Sequence, residues 1–139
     1  MGVEIEFPIE FMVEGTPVSF QQRRPEARNE WKARVKAASS RELPDRPNAS
    51  KARIAVTLYY FPSEPMQGDV DNIVKLILDA LCEHIYVDDS QVDRIVVQRF
   101  EPGNFIGFVS PSATLEEALK QPESVLYVRL SDDPFEDLI

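Results

Sequence analysis

The sequence predicts an α+β domain in which a mixed β-sheet packs against helices. Apolar and polar residues alternate along residues 5–13 and 54–60, which is the period of half-buried strands. Along residues 70–83 the apolar residues instead recur every three to four positions, which is the period of a core-facing helix. We see no internal repeat, so we expect one domain over residues 1–130, followed by an acidic tail at 131–139.

The first half of the chain predicts two strands with a helix between them. Pro8 cannot donate to a ladder, so the first strand lies at a sheet edge or is bulged there. Residues 26–38 predict a helix whose apolar positions recur at helical spacing. Residues 39–50 carry two prolines and predict an exposed loop. The apolar sides of the first strand and of the helix are, respectively, Ile5, Phe7, Ile9, Phe11 and Val13, and Ala27, Trp31, Val35 and Ala38.

The second half predicts a helix, two strands and a long irregular connection. Asp69 stands at the N-cap position of the helix at 70–83, where its carboxylate can accept a bond from a free amide of the first turn. Residues 95–97 and 125–130 predict strands. The connection between them has a short helix signal from Thr114 to Glu117, with the spacing of a capping box. We expect the acidic end of the chain to fray. The apolar stripe of the helix is Ile73, Leu76, Ile77, Ala80 and Leu81.

The composition excludes several classes of protein. The chain has 139 residues, of which 43% are apolar and 28% charged, as in an ordinary globular protein. Its one cysteine, Cys82, allows no intrachain disulfide and fits a reducing compartment. There is no apolar run of roughly 18 residues and no basic-then-apolar leader, so we expect a cytoplasmic protein without a membrane span.

Charge is distributed unevenly along the chain. Residues 21–53 hold ten basic and four acidic groups, a net of +6, which leaves −15 for the remainder of a chain whose total is −9. This asymmetry indicates a basic face on an acidic body, which is a candidate surface for nucleic acid. A solvated, salt-bridged helix explains the same pattern equally well. The candidate contacts with nucleic acid are Arg23, Arg24, Arg28 and Lys32.

Carboxylates and one lysine cluster around the helix at 70–83. Lys75 and Asp79 follow Asp71 at steps of four, so these three share one helix face. If the next strand carries the following turn back past the helix start, three or four carboxylates converge on one point. Such oxygen ligands suit Mg²⁺, which polarises a phosphate and lowers the pKa of a bound water. The full set is Asp69, Asp71, Lys75, Asp79, Asp88 and Asp89.

Each of these residues also has a purely structural interpretation, which the pattern leaves open. Asp69 can serve purely as an N-cap, and Asp71 can serve purely to complement the helix dipole. Lys75 can serve purely as the partner of a neighbouring aspartate, and the two aspartates at 88 and 89 can serve purely to shape a turn. Cys82 and His84 are too few for a structural zinc site, and at spacing i, i+2 they do not face each other on a helix.

For Trp31 and His84 we favour a structural role over a functional one. Trp31 falls on the apolar face of its predicted helix and is expected in the core, although it and Phe20 can also stack on unpaired bases. His84 is expected to be a polar residue at the helix end, which is favourable there if it is charged.

The motif over residues 68–92 resembles the signature of the RusA-type Holliday-junction resolvases. The matching runs are Asp69-Val-Asp71-Asn72-Ile-Val-Lys75, Asp79-Ala-Leu81 and Asp88-Asp89-Ser-Gln-Val92. Residues 15–25 more loosely resemble the glycine-proline-basic segment that follows the first strand in that family. The resemblance implies a RusA-like single domain.

The resemblance also implies a function. The residues that match the family's metal ligands are Asp69, Asp71 and Asp89, with Asp88 as a supporting ligand, and Lys75 matches its catalytic lysine. The implied enzyme is a homodimer that cuts four-way DNA junctions with Mg²⁺ or Mn²⁺. Two alternatives stay open: a nuclease of the same chemistry on another structured nucleic acid, and a non-catalytic binding protein of the same fold. A basic face continuous with the acidic site would favour the junction enzyme.

Overall fold

The computed structural model describes residues 2–104 and 107–138. Two 3₁₀ turns, Val70–Ile73 and Asp89–Gln91, precede and follow the second helix. No helix in these residues has the length and apolar character needed to span a bilayer. The strands are β1 (Val3–Glu4), β2 (Ile9–Glu14), β3 (Pro47–Asn48), β4 (Ile54–Phe61), β5 (Val92–Arg99) and β6 (Val125–Ser131), and the helices are α1 (Pro25–Ser40), α2 (Val74–Leu81) and α3 (Ala113–Leu119).

The main sheet is mixed, which confirms the predicted α+β class. Its strand order is β2-β6-β4-β5. β6 runs antiparallel to both of its neighbours, whereas β4 and β5 are parallel and are joined through α2. β2 lies at an edge, as predicted, and it begins at Ile9 directly after Pro8. The predicted loop at 39–50 contains β3, which pairs with β1 in a separate two-stranded parallel sheet.

One face of the main sheet packs against α1 and α2 to form the larger core. Alternate residues of β4 point to this face, and the whole predicted stripe of the second helix is buried against it. Each fully buried Leu, Ile or Val side chain contributes roughly 1.5–3 kcal/mol, so this face carries most of the hydrophobic stabilisation. The buried contributors include Trp31 and Val35 of α1, as expected for Trp31, with Ile54, Val56, Leu58 and Tyr60 of β4 and Leu76, Ile77 and Leu81 of α2.

The other face of the sheet is covered by α3, and the cap of this helix differs from the predicted one. Leu115 and Ala118 pack on Tyr127 and on other aromatic rings. The N-cap is Ser112, whose Oγ accepts a hydrogen bond from Leu115 N at 3.1 Å and donates one to the Glu10 carboxylate. The capping box predicted from Thr114 is therefore wrong, because the contact with Glu10 on β2 fixes an earlier start.

The C-terminal segment, for which the composition predicted fraying, folds back onto the sheet. Ser131 is buried as the last residue of β6. Beyond it, Glu136 pairs with Arg129 at 2.5 Å and Asp137 pairs with Arg94 at 3.0 Å. Partly exposed ion pairs of this kind contribute only about 0–1 kcal/mol each, so they orient the segment rather than stabilise the fold.

His84 joins the segment after α2 to the C-terminal end of α1. Its Nε2 lies 2.9 Å from Ser39 Oγ and 3.3 Å from Ser40 Oγ. Burial and the nearby Lys36 lower the pKa of the imidazole below its ordinary value of 6.5. The side chain is therefore neutral at neutral pH, so it does not act as a charged partner of the helix dipole.

This environment predicts that the protein loses stability as the pH falls through the titration of His84. The unfolded chain binds a proton at about pH 6.5, whereas the folded chain resists it to a lower pH, so acid favours unfolding over that interval. Because His84 is the one histidine of the chain, His84→Gln should remove this dependence. Melting temperatures of both proteins between pH 7.5 and 5.0 test this, and parallel curves would contradict it.

Candidate active site

Lys75 connects the first turn of α2 to the acidic turn that follows the helix. Its Nζ lies 2.8 Å from Asp79 Oδ1 and 3.1 Å from Asp89 Oδ2. Hydrogen bonds to Asp79 and Asp89 raise the pKa of Lys75 above its ordinary value. Lys75 is therefore a permanent cation at neutral pH and cannot serve as a general base, but it can stabilise negative charge that develops beside it. The pairing of Lys75 with a neighbouring aspartate, which the sequence left open, is thus observed with Asp79.

Tyr86 fixes the second oxygen of Asp89. This side chain is fully buried, and its hydroxyl donates to Asp89 Oδ1 at 2.8 Å. The hydroxyl oxygen also lies 3.0 Å from the carbonyl of Leu78 in α2. Burial is the main cause that raises the pKa of Tyr86, and the hydrogen bond to Asp89 raises it further, so the hydroxyl stays protonated and remains a donor. Asp89 is thus held between Tyr86 and Lys75, which sets the direction of its carboxylate.

Gln91 holds the acidic turn against the start of β4. Its side chain is 8% exposed and makes four hydrogen bonds to backbone groups, all at 2.8–2.9 Å. Oε1 accepts from Val87 N and Asp88 N, and Nε2 donates to Ser50 O and Ala52 O. No role for Gln91 or Tyr86 was predicted from the sequence. The available signal was an amide two positions after a pair of aspartates, since a buried amide is satisfied only by several partners.

Asp88 caps the 3₁₀ turn in which Asp89 lies. Its Oδ2 accepts a hydrogen bond from Ser90 N at 3.0 Å, and the bonds from Ser90 lower the pKa of this exposed carboxyl. The turn-forming interpretation of Asp88 is therefore what the structure displays. Its carboxylate is exposed beside Asp89.

Asp69 and Asp71 lie at the other end of the helical segment, around the first 3₁₀ turn. Asp69 occupies the N-cap position, as predicted, but its side chain makes no capping bond. Both residues are exposed, and neither carboxylate has a hydrogen bond or ion pair to any residue that the structure describes. Two carboxylates without partners among the described residues, two positions apart, are thus available to a ligand from outside the chain.

The acidic residues do not converge on one point within a single chain. Asp71 is separated from Asp79 by eight positions, roughly 12 Å along a helix axis. Over residues 2–104 and 107–138, no three acidic, histidine or cysteine side chains are grouped closely enough to hold a metal ion. The donor chemistry nevertheless fits a hard divalent cation, because all the available ligands are carboxylates and those of Asp69 and Asp71 are unengaged.

The loop that leads into Asp69 is anchored by the end of β5. Arg99 Nη1 donates to Gly68 O at 3.1 Å, and the Arg99 guanidinium also pairs with Glu101 at 3.3 Å. Glu101 in turn accepts from Met66 N at 3.2 Å. The contacts of Arg99 with Gly68 and of Glu101 with Met66 join residues more than 30 positions apart, so the sequence carried no signal for them.

The predicted basic contacts surround the start of α1, close to the motif. Phe20 N donates to Asn72 O at 2.7 Å, which places the segment before α1 directly beside the first turn of the motif. Phe20 itself is 55% exposed. Arg23 and Arg24 follow within four residues and are exposed. The other two candidate contacts are less accessible. Arg28 donates to the Gln22 carbonyl, and Lys32 is half-buried.

Comparison with known proteins agrees with the motif. The family model described as Endodeoxyribonuclease RusA matches residues 13–107, which is more than half of the chain. A search of curated proteins with this chain found no match. The matched range includes the motif helix, the acidic turn, the basic segment and β5, and it therefore covers the residues around Lys75 described above. The chain belongs to the RusA family of endodeoxyribonucleases.

Proposed function

We propose that this protein resolves four-way DNA junctions by metal-dependent hydrolysis of a phosphodiester bond. The supporting observation is the arrangement around the motif helix. One end presents two unpartnered carboxylates, Asp69 and Asp71, and a little further along Lys75 is held as a cation against Asp89. In a chain of an endodeoxyribonuclease family, this combination suits a phosphate that must be bound, polarised and neutralised.

The proposal assigns the metal, Mg²⁺ or Mn²⁺, to Asp69, Asp71 and Asp89, with Asp88 in support. When bound, the metal would act as a Lewis acid and activate water. The protein's own groups have separate tasks. Lys75 offsets negative charge on the phosphate, and Tyr86 keeps Asp89 oriented while its own proton stays in place. Such preorganised groups are effective because they need no rearrangement during the reaction.

DNA would be bound by the basic residues before and in α1, which are Arg23, Arg24, Arg28 and Lys32. The contact between Phe20 and Asn72 makes this segment continuous with the motif, which favours a junction enzyme over a protein that only retains the fold. With a net charge of −9, the rest of the surface repels phosphate, so affinity for DNA should be weak. Affinity should also fall with added salt, because each phosphate contact of these basic side chains releases a counterion from the DNA.

The proposal includes a homodimer, which the family resemblance implies. Sedimentation of the protein with and without Mn²⁺, at concentrations used for cleavage, measures the association directly.

Cleavage of a labelled four-way junction at low salt tests the proposed function. Linear duplex and a branched three-way DNA serve as comparison substrates, each with and without Mg²⁺ or Mn²⁺. Paired nicks on the four-way junction alone, dependent on metal, would support it. Equal cleavage of the other substrates would favour the broader nuclease, and no cleavage with no metal-dependent shift in melting temperature would favour a non-catalytic binding protein.

Lys75→Ala should slow cleavage by about a hundredfold, as expected for losing one charge-stabilising group. Binding of Mn²⁺, measured as a shift in melting temperature, should persist because the carboxylates remain. Lys120→Ala at the end of α3 is a matched control on the opposite side of the sheet. Unchanged turnover for Lys75→Ala would show that Lys75 is only the partner of Asp79 and Asp89.

A further inference from the structure

A cleft of about 250 Å³ opens directly beside Asp69. Its walls include Thr16, Pro17 and Ser19 after β2, residues 63–69 after β4, and Asn72 at the start of the motif helix. Tyr60 and Met66 are among the groups that line it. None of the structural roles described above accounts for this space, which lies next to a carboxylate that the proposed function assigns to the metal.

Tyr60 brings an unpartnered hydroxyl to this cleft. The residue is 2% exposed, and its side chain points to the helix-covered face of the sheet together with Leu58. Its hydroxyl has no hydrogen-bond partner among the described residues. Among the described residues, Trp31 Nε1 is the one fully buried side-chain nitrogen or oxygen atom without a hydrogen-bond partner. The Tyr60 hydroxyl also has no partner there but is not in that class, so it is accessible from the cleft. Because nearly buried polar groups are normally satisfied, this hydroxyl points to a ligand in the cleft.

The chemistry of the lining favours a neutral ring over a phosphate. Of the described residues that line the cleft, two are acidic, Glu64 and Asp69, and none is Lys, Arg or His. The side-chain amides of Asn72 and Gln67 are also unpartnered in the described part of the chain. The volume is below the roughly 300–1,000 Å³ of sites for drug-sized ligands, which suits a single planar group. A base displaced from its stack has this size and presents donors and acceptors along its edge.

We propose that the cleft receives one unpaired base of the DNA strand next to the phosphate being cut, and that Tyr60 discriminates among the four bases there. This rests on the proposed function, because the position of the cleft has meaning only relative to the cleavage site. Tyr60, Asn72 and Gln67 supply the hydrogen bonds, and the apolar wall near Met66 contacts the face of the ring.

The test compares wild type with Tyr60→Phe on junctions that carry each of the four bases at the two positions flanking the cut. Tyr60→Phe removes only the hydroxyl and breaks no bond within the described chain. We expect the wild-type preference at one position to weaken by roughly three- to tenfold, the loss expected for one hydrogen bond. Tyr59→Phe is the matched control, since Tyr59 lies on the opposite face of β4 among other aromatic rings.

A second measurement needs no cleavage and separates this proposal from the proposed function. Junctions with 2-aminopurine at each flanking position are bound in EDTA, and their fluorescence reports whether that base is unstacked. A change at one position with wild type, reduced in Tyr60→Phe but retained in Tyr59→Phe, supports the cleft even if no junction is cut. Unaltered base preference in Tyr60→Phe, or, where nothing is cut, equal fluorescence for all three proteins, would overturn it.

Discussion

Asp71→Asn should reduce junction cleavage by at least about a hundredfold while leaving the fold nearly unchanged. Loss of a residue that only supports a metal ligand already costs roughly 10–100-fold in affinity or activity, and a ligand itself should cost more. Asn keeps the shape of the side chain but removes its charge. Because Asp71 is exposed and has no partner among the described residues, the only loss in stability is its interaction with the first turn, about 0.3–1 kcal/mol.

The measurement pairs cleavage rates with unfolding in urea. Asp45→Asn is the matched control, because Asp45 is also an exposed aspartate without a partner in the described chain, and it lies in the connection after α1. The control should cut at the wild-type rate. If Asp71→Asn cuts equally well, Asp71 does not belong to the active site and the role of the motif must be reassigned.

Gln91→Leu should lower the free energy of unfolding by about 4 kcal/mol, since four hydrogen bonds of roughly 1 kcal/mol each are lost. Leu fills a similar volume but leaves Asp88 N and Ala52 O without partners among the described residues, and Val87 N and Ser50 O keep only their 3.3 Å bond to each other. This is a large fraction of the roughly 5–15 kcal/mol that stabilises an ordinary domain. The acidic turn should also lose its attachment to β4, so Asp89 would no longer be held against Lys75.

Urea unfolding measures the stability, and cleavage at a low temperature, where the variant remains folded, measures the site. Gln98→Leu makes the same change at an exposed position on β5 and should alter neither quantity appreciably. A Gln91→Leu protein within about 0.5 kcal/mol of wild type would mean that water replaces the side-chain bonds. A stability loss with full activity at low temperature would show that Gln91 serves the fold alone.

Much of the fold could be predicted because the relevant signals are local. The stripe in α2 and the alternation in β4 each reflect the repeat of one element, so both were identified without tertiary information. β1 and β3 were missed because each has two residues and they pair across more than 40 positions. The start of α3 was misplaced for a similar reason, since its cap is fixed by Glu10 on a distant strand.

By itself, the sequence determined the fold class, the identity of the acidic and basic residues and the family signature, because these depend on residue type and spacing. Only the tertiary structure decided how those residues are paired. It joins Lys75 to Asp89, seals Tyr86 beneath that carboxylate, leaves Asp69 and Asp71 unengaged, and opens a cleft at the hydroxyl of Tyr60. Hydrogen bonds and cavities depend on distances between atoms that the chain brings together only on folding, and spacing along the sequence does not encode them.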